Sequence, residues 1–204
     1  MKQEYLYEVK NLLRDVITDV HTVVPGKIVY FDPDKCEAEV ELLAHFRKPD
    51  GSFLKFPNIH EVPVMFPQAA GQTVTITWLI QPGDYVSVYF MEQPLDTWRT
   101  GAEPTTDLRF DLSNAFCVPG FFAKPNPLVK RAYDNQSIII QRKNSFVELF
   151  DRKIGVKTDG DIIVEAAANI TITANANMDI RSNGPMTITS DTSIKMTAPR
   201  IDLN

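Results

Sequence analysis

At 204 residues the chain is long enough for one or two domains, and its 44% apolar content is that of a folded protein. The formal net charge is −5, with 13 basic and 18 acidic side chains in residues 1–135 and 8 of each in residues 136–204, so nothing here attracts a phosphate backbone. No apolar run approaches the roughly 20 residues of a membrane-spanning helix, and MKQEYLYEVKNLLRDV is too charged for a secretory signal.

In chain order, Glu4 to Val20 comes first. Val9, Leu12, Leu13, Val16, Ile17 and Val20 lie at the spacing of one helical face. A helical segment is expected over residues 1–22. The sequence leaves open whether it packs on its own domain or across a neighbouring subunit.

From Pro25 the pattern turns to strands. GKIVYFD is followed by Asp32-Pro33-Asp34-Lys35, where proline fixes φ and aspartate bonds locally to the backbone. In CEAEVELL, Cys36, Ala38, Val40 and Leu42 alternate with Glu37, Glu39 and Glu41, which reads as a half-buried strand with an acidic, solvated outer face. Pro49-Asp50-Gly51 marks a tight turn, and Val62, Val64 and Phe66 form a short strand broken by prolines. In TVTITWLI, Val74, Ile76 and Trp78 alternate; in YVSVYFME, Val86, Val88 and Phe90 do so. Between them Gln81-Pro82-Gly83-Asp84 suits a type II turn. About five turn-punctuated strands in this space predict an OB-like Greek-key β-barrel over residues 23–113. Residues 114–135, with Pro119, Pro125 and Pro127, read as a linker, where Phe116, Phe121 and Phe122 are expected to seal the junction of barrel and needle.

The last third repeats itself. Ile154, Ile162, Ile170, Met178, Met186 and Ile194 fall eight residues apart, and so do Val156, Val164, Ile172, Ile180, Ile188 and Met196. Each unit is apolar-x-apolar followed by a polar bend, as in NITITANA and PMTITSDT. No Phe, Tyr or Trp follows Phe150, so the core must be narrow and supplied by stacked neighbours. One chain of octads cannot close coils of its own. Three chains can, with each octad giving one strand to one face of a triangular prism and these twelve residues filling the axis. Stacked strands about 4.7 Å apart make such a needle roughly 30 Å long. Residues 136–204 are therefore expected to form an intertwined trimeric β-helix, with a flat antiparallel meander as the alternative.

Three stretches carry a family resemblance: PNIHEVPVMFP, QPGDYVSVYFMEQPLDTW and LRFDLSNAFCVPGF. Together they resemble the N-terminal domain of the central spike proteins of contractile-tailed phages, the membrane-piercing baseplate spikes, over Val23 to Pro125. The resemblance implies a homotrimeric structural protein of the virion, assembled in the host cytoplasm. Its OB-like domain would meet baseplate hub proteins, and its needle would puncture the bacterial outer membrane on tail contraction. The family is not enzymatic, so no catalytic residue is carried over. The chain departs from the pattern at its end. Several such spikes carry an apical His-x-His motif that binds iron, but the only histidines here are His21, His45 and His60. No metal or other cofactor is expected; the needle would be blunt, capped by a separate tip protein, or without its apex.

The residues themselves agree with a non-enzyme. There is no GxSxG, HExxH or P-loop. Cys36 and Cys117 lack CxxC or CxxH neighbours and read as reduced, buried thiols. The alternative function is an OB-type module binding a saccharide or single-stranded nucleic acid on a trimerising stalk. The acidic front part argues against nucleic acid, because stacking platforms come with positive grooves.

Overall fold

Alternation dictates the front domain: residues that alternate apolar and polar become strands, and their apolar sides meet. The computed structural model describes residues 7–12, 20–48, 50–101, 103, 108–121 and 124–202. Of the expected N-terminal helix, residues 7–12 are helical, while Leu13, Val16 and Ile17 lie outside the described residues. The strands are β1 (Val23–Asp32), β2 (Glu37–Leu42), β3 (His45–Arg47), β4 (Phe53–Lys55), β5 (Ile59–Pro63), β6 (Gln68–Ala69), β7 (Val74–Thr75), β8 (Tyr85–Phe90), β9 (Ala115–Pro119), β10 (Ile138–Arg142), β11 (Ser145–Leu149) and β12 (Ile154–Lys157). Two further helices are α1 (Leu95–Thr100) and α2 (Pro127–Asn135). The protein is mainly β.

β5, β2, β1, β8 and β9 form one antiparallel sheet in that order. Ile28, Val40, Leu42, Val62, Val86, Val88, Phe90 and Cys117 point to its inner side and make the buried core. The sheet curls for two local reasons. In β1, Ile28 pairs with Val40 and Tyr30 with Glu39, so Val29 is an extra residue and the strand is bulged. The bulge resets the alternation, and Phe31 packs against the core three places after Ile28. At Gly26 a Cβ would stand 2.7 Å from both Val40 Cγ1 and Val88 Cγ2, so β2 and β8 side chains close over bare backbone.

The curl brings the sheet's outer strands together. Just past β5, Val64 bridges Cys117 of β9 in parallel, and Met65 N–H donates to the Cys117 carbonyl at 2.8 Å. Val64 N–H donates on the other side to the Cys36 carbonyl at 2.9 Å. The turns follow the sequence reading. Asp32 Oδ1 accepts from Asp34 and Lys35 N–H, and Gly83 has φ +97° with Asp84 N–H donating to the Gln81 carbonyl at 3.1 Å, as a type II turn requires.

Three expectations change. TVTITWLI is not one strand: only Val74–Thr75 pairs, with β6, while Ile76, Trp78 and Leu79 are exposed. The segment returns to the core only at its end, where Ile80 is buried among the side chains of the curled sheet. Ala115–Pro119, read as linker, is the outer strand β9, because Ala115 and Cys117 alternate inward and pair with Phe90 and Val88. The rest of that segment holds helix α2, capped where Asn126 Oδ1 accepts from Leu128 N–H at 2.9 Å with Pro127 in the first turn.

Substituting Gly26→Ala is expected to destabilise the front domain by about 1–3 kcal/mol, the cost of overpacking a filled core. Denaturant unfolding reads this directly. An unchanged midpoint would show that the sheet does not need the close approach at this position.

Candidate assembly site

The C-terminal part begins with a small unit built on one carboxylate. β10, β11 and β12 pair as an antiparallel meander, and α2 lies against one of its faces. Glu148 is on that face and is buried, accepting hydrogen bonds from Asn135 Nδ2 at 3.0 Å and Ser137 Oγ at 2.8 Å and pairing with Arg131. The Arg131 guanidinium also stands 4.4 Å over the Phe146 ring. The hydrogen bond from Asn135 is the chief cause that holds the Glu148 carboxyl below the usual range, with help from Ser137 and Arg131 and against the opposing effect of burial. Sequence reasoning passed over Glu148. The signal was there: in SFVEL it shares a face with Phe146, opposite Val147 and Leu149, and Arg131 and Asn135 are four apart on a helix.

Beyond Lys157 the backbone takes on the rhythm of the octads. It bends at residues 159–160, 167–168, 175–176, 183–184 and 191–192, a constant step of eight, and again at 199. Hydroxyls hold several of these corners: Gly160 N–H donates to Thr158 Oγ1, Gly184 N–H to Ser182 Oγ, and Thr192 and Ser193 N–H to Ser190 Oγ. Residues 158–202 form no strand ladder within the chain. Among the described residues the antiparallel meander takes in the first octad pair, Ile154 and Val156 of β12, and goes no further. Ile154, Val156, Ile162, Val164, Ile170, Ile172, Met178, Ile180, Met186, Ile188, Ile194 and Met196 are each at least 49% exposed. The chain sets these side chains out at regular intervals and does not cover them.

The other singled-out residues are scattered. Phe116 stacks on Tyr89, centroids 5.1 Å apart and planes 11° apart; Phe121 is exposed; Phe122 lies outside the described residues. His21 meets Phe56 edge-on at 5.3 Å, His45 meets Phe53 at 6.4 Å, and His60 Nδ1 is 3.6 Å from Glu39 Oε2. Among the described residues no three His, Cys, Asp or Glu gather as a metal site. Cys36 Sγ donates to the Val64 carbonyl at 3.4 Å, and burial, with a smaller effect of Cys36, pushes the Cys117 thiol up to about 12. The glutamates of β2 are not simply solvated. Glu37 is buried and paired with Arg99 of α1 at 2.5 Å, and Glu41 pairs with Lys27 at 3.2 Å and with Lys55. The lysines and their hydrogen bonds, Lys55 foremost, hold the Glu41 carboxyl below its ordinary value.

A lowered folded-state pKa means that Glu148 contributes stability above its unfolded value near 4.5, and that this is lost as pH falls through the folded value. Glu148→Gln is therefore expected to lower the denaturation midpoint at about pH 7 and to differ less from the parent at about pH 3.5. A gap that stays constant or widens in acid would contradict the network.

Residues 24–120 match the family model of the phage protein Gp138 N-terminal domain. That span takes in the curled sheet from β1 to β9. No curated protein matches the chain. The matched residues include all three stretches that carried the resemblance except Phe121. The front part of the chain is thus similar to the N-terminal domain of the phage protein Gp138, a likeness that supports a phage protein of the baseplate-spike type.

Proposed function

We propose that this chain is a homotrimeric central spike whose needle punctures the bacterial outer membrane when the phage tail contracts. The observation that carries the reading is the octad backbone: regular corners, exposed apolar pairs and, past β12, no strand partner among the described residues. Unpaired strand N–H and C=O groups and bare Ile, Val and Met side chains are costly together, and both costs vanish when like chains wind around one axis. Each octad then gives one strand to one face of a triangular prism, and the twelve apolar residues fill its centre. Thr171, Thr173, Thr187 and Thr189 alternate with them on the outside and keep the shaft polar without strong repulsion.

The front domain supports an OB-like barrel. Its long first strand pairs with β2 and β8, and a parallel contact joins β5 to β9. In the proposed virion this domain faces the baseplate hub, and the needle points at the host envelope. The role is mechanical and needs no catalytic residue or cofactor. Tail contraction supplies the free energy; the spike must transmit force without bending. Hydrogen bonds between chains at every layer make separation a cooperative event with a high barrier.

Light scattering on the purified full chain is expected to give three times 23.0 kDa, in a form that survives SDS without boiling. Ile172→Asp or Ile180→Asp sets three carboxylates on the axis and is expected to abolish that species. A monomeric parent chain, or a variant trimer with unaltered melting, would overturn the inward assignment.

A further inference from the structure

The sheet of β10, β11 and β12 has a second face. Ile138 pairs with Leu149 and Ile140 with Val147; across the next ladder Val147 pairs with Val156 and Leu149 with Ile154. Strand alternation puts these six residues on one side, opposite Phe146 and Glu148. α2 seals the Glu148 side through Arg131 and Asn135. The six-residue side is bare: exposure runs from 36% at Val147 to 69% at Ile140. No charged side chain lies among the six; Arg142 stands beyond them, opposite Ser145 at the end of the ladder.

We propose that two further copies of this chain cover this face, so that three such sheets meet around one axis with α2 outermost. The inference rests on the trimeric reading of the octads and extends it to Ile138, Ile140, Val147 and Leu149. The choice of occupant follows from continuity. Ile154 and Val156 belong both to this face and to the octad series, so a different protein on the sheet would compete with the subunits for the same two side chains. The sheet also does what the octads cannot. Chains repeating every eight residues still match after slipping by one unit, whereas an aperiodic sheet matches in one register only.

Ile140→Cys in the full chain tests this, with Lys130→Cys on the exposed side of α2 as reference and the parent chain as the background for Cys36 and Cys117. Mass and maleimide labelling are measured on the same samples. The expected result is a trimer in which the thiol of the Ile140→Cys variant labels at least about tenfold more slowly than that of the Lys130→Cys variant, with the difference lost after boiling in SDS. A trimer in which both label alike would overturn the collar and leave the octad needle standing. A monomer would overturn the trimeric reading and the collar with it. Val147→Asp supplies a second readout: a lower melting temperature of the trimer supports the collar, and an unchanged one overturns it.

Discussion

Two apolar side chains on a short strand cannot bury one another, and the C-terminal third of this protein repeats that situation octad after octad. Adding octads does not relieve it, because each new unit brings its own exposed pair and its own unpaired backbone. In the proposed spike the solution lies outside the single chain. Regular corners at every eighth residue set the pairs in line, and hydroxyls of Thr158, Ser182 and Ser190 hold corners by bonding nearby N–H groups. Corners held in this way within the chain would lower the ordering entropy that the proposed assembly must overcome.

The front domain meets the opposite condition: it can close on itself. Its sheet needs one sharp bend and one place where strands come nearer than side chains allow. The bulge at Val29 provides the first and Gly26 the second. The contact of Val64 with Cys117 then joins strands far apart in the chain, and the thiols of buried Cys117 and half-buried Cys36 flank that contact as small groups. The family model covers this same stretch, 24–120, so the similarity to phage proteins rests on the self-contained part of the molecule.

Between these regions lies a unit whose polarity is divided by face. A carboxylate with three hydrogen-bonding partners fixes α2 to one side of a three-stranded sheet, and aliphatic side chains occupy the other. A buried charge is tolerable because every partner is local: Arg131, Asn135 and Ser137 all lie within 17 residues of Glu148. Such a unit is completed by short-range contacts within the chain, and its other face is left exposed.

How much of this was legible in residue order follows from range. Alternation placed the inner residues of β2 and β8, Pro82-Gly83 placed a turn, and the eight-residue interval placed the corners of the last third, because each depends on neighbours within a few positions. The order of strands in the curled sheet was not legible, nor was the failure of TVTITWLI to join it, because both depend on pairing between distant segments. The inclusion of Ala115–Pro119 depended on antiparallel pairing with β8, from Phe90 opposite Ala115 to Val86 opposite Pro119. Glu148 looked like an ordinary strand-surface acid until α2 was laid over it. Sequence alone determined periodicity, turn chemistry and the shortage of large side chains in the tail. Only tertiary structure decided which face is sealed and which is bare, because burial depends on what lies across from a residue and not on what precedes it.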